Sequence, residues 1–165
     1  MKLLKRFTGI STLLFLVFSL TATTALSQNI PEKGTIGLSA SFQGNQTNLM
    51  VPIWTSDNIV IAPLLGIVHE TDSFTTINLG VKPRFYRAMG DDFASYFGFQ
   101  AVLQNTSPEF GDDVTNFLVG VNGGGEYFLN SHFSMGVEGQ LNFLIRDNTD
   151  DRISTGAAIT GTYYF

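Results

Sequence analysis

After residue 27 the chain alternates apolar and polar side chains with a period of two, the pattern of strands that show two chemically different faces. Turn-forming clusters cut this pattern seven times: Gln43-Gly44-Asn45-Gln46-Thr47, Thr55-Ser56-Asp57-Asn58, residues 69–73, 88–92 and 105–115, Leu129-Asn130-Ser131, and residues 147–151. Seven breaks predict eight segments, each near the ~9–11 residues of a tilted membrane-spanning strand. The seventh segment is the cleanest. Phe133, Met135, Val137, Gly139, Leu141, Phe143 and Ile145 lie on one side, and His132, Ser134, Gly136, Glu138, Gln140, Asn142, Leu144 and Arg146 on the other. In the eighth, Ile153, Thr155, Ala157, Ile159, Gly161, Tyr163 and Phe165 stand against Ser154, Gly156, Ala158, Thr160, Thr162 and Tyr164. The fourth sets Ile77, Leu79, Val81 and Phe85 against Thr76, Asn78, Lys82, Arg84 and Tyr86. The first, fifth and sixth repeat the scheme. The second and third are apolar on both faces and are interrupted by Pro52 and Pro63, which predicts local bends, because proline cannot donate to a ladder.

The period alone fits a soluble barrel as well as a membrane one; the chemistry of the two faces separates them. The polar face carries Lys82, Arg84, Glu126, Glu138 and Arg146 among small glycines and serines. The apolar face is large and aromatic, in a chain with 15 Phe, 5 Tyr and 1 Trp. A few opposed charges among small residues suit the narrow interior of eight strands, whereas the greasy face suits lipid and would be a hazard in water. The expected fold is therefore all-β: an eight-stranded antiparallel up-and-down transmembrane β-barrel. A soluble periplasmic barrel of lipocalin type would need the reverse assignment of faces. The even-numbered connections are short, as periplasmic turns are, and the odd-numbered ones include the longest, residues 105–115. Both termini then fall on the periplasmic side.

Residues 1–27 do not follow this pattern. Lys2, Lys5 and Arg6 precede an apolar run over residues 10–20, and Ala25-Leu26-Ser27 offers a small-x-small cleavage site before Gln28. That is the layout of a secretory signal, and the run is too short for a spanning helix. We therefore expect a cleaved signal peptide at 1–27 and a single barrel domain at 28–165. Removing the signal takes away three of the nine basic residues and none of the fourteen acidic ones, leaving a net charge of −8, which argues against nucleic acid as a partner. There is no cysteine, so disulfides, thiolate metal sites, a thiol nucleophile and a lipoprotein anchor are all excluded. No later apolar run is long enough for a helix to span, so a membrane role requires a closed barrel.

The chain ends Thr160-Gly161-Thr162-Tyr163-Tyr164-Phe165. This resembles the terminal signature of bacterial outer-membrane barrels. Gly80-Val81-Lys82-Pro83-Arg84-Phe85-Tyr86 resembles a recurrent strand of the small outer-membrane β-barrel family, Bacteroidetes-type members especially. The resemblance implies a place in the Gram-negative outer membrane, contact with its lipid and lipopolysaccharide, and recognition of Phe165 by the barrel-assembly machinery. The family's roles are mixed: adhesion, envelope stability or narrow channels.

Four groups of residues carry candidate chemistry. Lys82, Arg84, Glu126, Glu138 and Arg146 read as an internal salt-bridge network that seals the barrel, since unpaired buried charge is costly; a proton or ion path is the alternative. His132 and Ser134 resemble the His-x-Ser pair of outer-membrane enzymes that trim lipid A. Both are expected to point inward near the periplasmic end, with no carboxylate to orient the histidine, so catalysis is not expected. Gly123-Gly124-Gly125 lacks phosphate-loop spacing and reads as room for close backbone approach. Glu109, Asp112, Asp113, Asp147, Asp150 and Asp151 form an acidic outer rim without the twelve-residue calcium pattern, although a cation bridge to lipopolysaccharide fits it. We expect no catalytic residues, no metal and no cofactor. The function expected is a structural or surface-interaction barrel, with a narrow channel as the alternative.

Overall fold

The computed structural model describes residues 29–44, 46–70, 73–146 and 150–165; the signal segment 1–27 and Asp147 lie outside the described residues. Nine β-strands follow one another: β1 (Gly37–Gln43), β2 (Gln46–Met50), β3 (Ile53–Ser56), β4 (Ile59–Glu70), β5 (Phe74–Ala88), β6 (Phe93–Pro108), β7 (Val114–Phe128), β8 (Phe133–Ile145) and β9 (Arg152–Tyr164). Each of these pairs antiparallel with its sequence neighbour, apart from β2 and β3, which run on from one another and both pair with β4. Pairing of β1 with β9, Gly37 opposite Tyr164 through Phe42 opposite Ile159, closes the ring. The result is a closed antiparallel barrel of eight staves, with β2 and β3 as the two halves of the second.

The two prolines explain that split stave. Val51 and Pro52 lie between β2 and β3, where the Val51 N–H donates to the Pro63 carbonyl at 3.0 Å and the Gly37 N–H to the Pro52 carbonyl at 2.9 Å. In an antiparallel ladder the N–H and C=O of one residue face the same neighbour. Pro63 therefore directs its missing N–H at the interruption beside Pro52, and β4 runs through Pro63 unbroken. One irregular spot absorbs both missing donors.

Alternation along the strands sets which side chains fill the lumen. In β8 every second residue from Ser134 to Asn142 is buried, and the residues between are exposed. Outside, Leu38, Phe42, Leu65, Ile67, Leu79, Phe97, Phe99, Val137, Leu141 and Ile159 form an exposed apolar surface. Inside lie Ser39, Asn48, Asn78, Lys82, Arg84, Gln100, Asn122, Glu126, Glu138, Gln140 and Asn142, all buried. The distribution is that of a water-soluble protein turned inside out. A lipocalin-like apolar interior is ruled out on this ground.

The connections at one end are short: Asp57 and Asn58, residues 89–92 and residues 129–132. The segment before β1 and the C-terminus share this turn end, where the Phe165 N–H bonds the Ile36 carbonyl at 2.9 Å. The connection over residues 109–113 lies at the opposite, loop end, as do the end of β8 and the start of β9.

Candidate functional site

The lumen is built in three layers. At the turn end, Trp54, Val60, Tyr86, Ala94, Tyr96, Phe128 and Tyr164 form a buried aromatic floor, with Ile30 packed against it. The rings of Trp54 and Tyr86 are 4.9 Å apart between centroids, those of Tyr86 and Tyr96 5.0 Å, and those of Phe128 and Tyr164 6.2 Å. The segment before β1 is tied beneath this floor. The Gly34 N–H donates to the Trp54 carbonyl at 2.7 Å, and the Trp54 N–H to the Thr35 carbonyl at 2.9 Å.

Above the floor, two carboxylates are enclosed by donors. Glu126 accepts from the Tyr86 hydroxyl at 2.6 Å, from the Tyr164 hydroxyl at 2.9 Å and from the Ser134 hydroxyl. Glu138 accepts from Lys82 Nζ at 2.6 Å, an Arg84 terminal nitrogen at 3.3 Å, the Tyr96 hydroxyl at 2.9 Å and Gln140 Nε2 at 2.7 Å. The Arg84 guanidinium also lies over the Tyr96 ring, 4.9 Å from its centroid. Two cations face two anions, so the cluster is neutral as a whole, and tyrosine hydroxyls link its halves. Burial makes every one of these bonds matter, because a buried charge without partners costs several kcal/mol, of the order of 3–5. Room for the ring of Tyr96 comes from Gly124, opposite it on β7: a Cβ there would lie 2.9 Å from the Tyr96 hydroxyl and would collide with the Val137 carbonyl.

The third layer is a cavity of 440 Å³ that begins at Lys82 and rises between the strand ends of the loop side. Amides dominate its wall: Gln43, Gln46, Asn48, Gln100, Gln104, Gln140 and Asn142. Leu64, Val102 and Leu118 supply an apolar strip, part of a second buried cluster with Met50 and Ala62.

Of the five charged residues that sequence reasoning placed in one network, the structure brings together Lys82, Arg84, Glu126 and Glu138. Arg146 is a correction. It follows the last residue of β8, where strand parity no longer governs direction, and it ties the connection to β9: its Nε donates to the Asp150 carbonyl at 2.9 Å and its backbone N–H to Asp151 at 3.4 Å. His132 is a second correction. It precedes β8 and is exposed in the turn rather than pointing inward. Its Nδ1 lies 3.1 Å from the Tyr164 carbonyl and its ring stacks on Tyr163. Ser134 is fully buried and its hydroxyl is committed to Glu126, so the pair cannot cooperate as base and nucleophile. The tyrosines were the missed members of the cluster. Tyr86, Tyr96 and Tyr164 fall on the polar face by alternation, and that shared face is the signal in the sequence that they meet the charges. Among the described residues no group of three or more acidic or histidine side chains is arranged to hold a metal. Phe165 projects outward and contacts Tyr163 edge-on at 5.4 Å.

No protein-family model matches the sequence, and no curated protein is similar to it by sequence. Solved structures are similar in fold. The N-terminal β-barrel domain of Pseudomonas aeruginosa OprF superposes with a TM-score of 0.62 at 11% identity, covering 81% of this chain and 98% of that one. Neisserial surface protein A superposes with a TM-score of 0.61 at 12% identity, covering 78% of this chain and 92% of that one. The chain has the fold of the small outer-membrane β-barrels.

Proposed function

We propose that this chain is an exported, integral outer-membrane protein of a Gram-negative envelope whose barrel is sealed, with a structural or surface-interaction role. The observation that carries the reading is the blocked lumen. Between the cavity and the turn end, Lys82, Arg84, Glu126 and Glu138, with the tyrosines and Trp54, are at most 7% exposed and fill the cross-section. An ion would have to break a neutral, hydrogen-bonded cluster and then cross an aromatic layer. The exposed apolar belt favours lipid as its surroundings, since in water it would be a large unpartnered patch. Residues 1–27 as a cleaved signal and Phe165 as the mark read by the assembly machinery complete the proposal, and lipid and lipopolysaccharide are its proposed surroundings. We assign no enzymatic activity, because Ser134 and His132 are each engaged elsewhere.

The test is electrical. Refolded barrel added to a planar lipid bilayer should give no discrete conductance steps. Reproducible unitary steps, abolished by heat-denaturing the protein, would overturn the sealed reading in favour of the narrow channel.

A further inference from the structure

The cavity above Lys82 is closed at its base and open at the loop end. At 440 Å³ it falls within the roughly 300–1,000 Å³ of small-molecule sites. Among the described residues its wall contains no carboxylate. Of the two cations that line it, Lys82 at the base is already paired with Glu138 at 2.6 Å, and Arg152 stands exposed at the mouth, next in the chain to Asp151. Glu109, Asp112, Asp113, Asp150 and Asp151 on the loops outside add a negative field that discourages anions. The wall thus favours a ligand with no charge.

Its hydrogen bonding is equally specific. Every amide offers both a donor and an acceptor, which is what a hydroxyl also needs. Beside close ones from Gln100 to Asn142 and from Gln46 to Asn48 at 2.8 Å, two amide–amide bonds are stretched: Gln100 to Gln140 and Asn142 to Gln140 are each 3.4 Å. Such bonds are weak and are readily exchanged for bonds to a ligand. Gln100, Gln140 and Asn142 are nevertheless buried at 6–8% exposure on rigid strands, so their direction is fixed before any ligand arrives. Beside them, Val102 two residues along β6 from Gln100, Leu118 on β7 and Leu64 on β4 present hydrocarbon. A pyranose ring has this division: hydroxyls around its edge and C–H bonds on its face.

We propose that the outer half of the lumen is a binding site for a small, free, neutral saccharide of about disaccharide size. The site rests on the sealed-lumen reading for its closed base. Conductance steps would sink that reading and the closed base with it, whereas a failed sugar titration would sink the site and leave the sealed barrel standing.

The full barrel is refolded in dodecylphosphocholine, a detergent without a sugar headgroup, and titrated by calorimetry with maltose, trehalose and N,N′-diacetylchitobiose, with sodium gluconate as the anionic comparison. At least one sugar should bind saturably, and gluconate should bind more weakly. Asn142→Leu removes one amide and should weaken binding by about tenfold, the equivalent of one lost hydrogen bond. Ser154→Phe, at the half-buried mouth, should block the site. Boiled and unboiled gel mobility checks that each variant is folded; should Asn142→Leu not fold, Ser154→Phe carries the test alone. No saturable binding of any of the three sugars, affinity unchanged in the folded variants, or tighter binding of gluconate would each overturn the proposal.

Discussion

Glu138 holds the largest number of partners in the lumen, and its removal is the sharpest probe of the charge cluster. Replacing it with leucine leaves Lys82 and Arg84 buried without an anion, which should cost about 3–5 kcal/mol. Tyr164→Phe removes one of three hydroxyl donors to Glu126 and should cost about 1.5–3 kcal/mol, since hydrogen bonds to charged groups lie in that range. Among the described residues Arg146 bonds Asp150 and Asp151 alone, so Arg146→Ala should stay within about 0.5 kcal/mol. Urea titration of the protein folded into lipid vesicles measures all three, and a loss at Arg146 equal to that at Glu138 would mean that Arg146 belongs to the cluster after all. The difference between these residues was only partly legible beforehand. Parity puts Arg146 on the same face as Glu138, but a residue beyond the last ladder pair is no longer held by parity.

Alternation read from single residues defines the strands, and a glycine pair tests it at the level of one element. Gly124 faces the lumen under Tyr96, whereas the neighbouring Gly123 faces outward with 3.6 Å to the nearest atom. Gly124→Ala should therefore cost about 1–3 kcal/mol through overpacking, and Gly123→Ala next to nothing. Equal effects on the urea midpoint would mean that β7 is in a different register. Six of the eight staves were legible because one face of each is polar. The second and third were not, because residues on both faces of 49–54 and 59–68 are apolar and the prolines obscured the period. The split into β2 and β3 needed the third dimension: Pro52 and Pro63 are eleven positions apart in sequence, and only the ladder shows that they share one gap.

At the scale of the whole molecule, the fold followed from which face was polar, while the contents of the lumen did not. Pattern reasoning found the charges but could not show that tyrosine hydroxyls join them, that an aromatic floor closes the turn end, or that an amide-lined cavity remains above, because those depend on cross-barrel distances. On the proposed placement the outer surface faces lipid. Leu79→Arg, on that surface, should destabilise the vesicle-bound barrel by about 2–4 kcal/mol if it lies near the bilayer midplane. The most direct test is simpler. The outer-membrane fraction of cells expressing the full chain is run on a gel in mild detergent, boiled and unboiled. The protein should be found in that fraction, and the unboiled band should migrate faster, as a compact barrel resistant to detergent. Release into the soluble periplasmic fraction, with no shift on boiling, would contradict it.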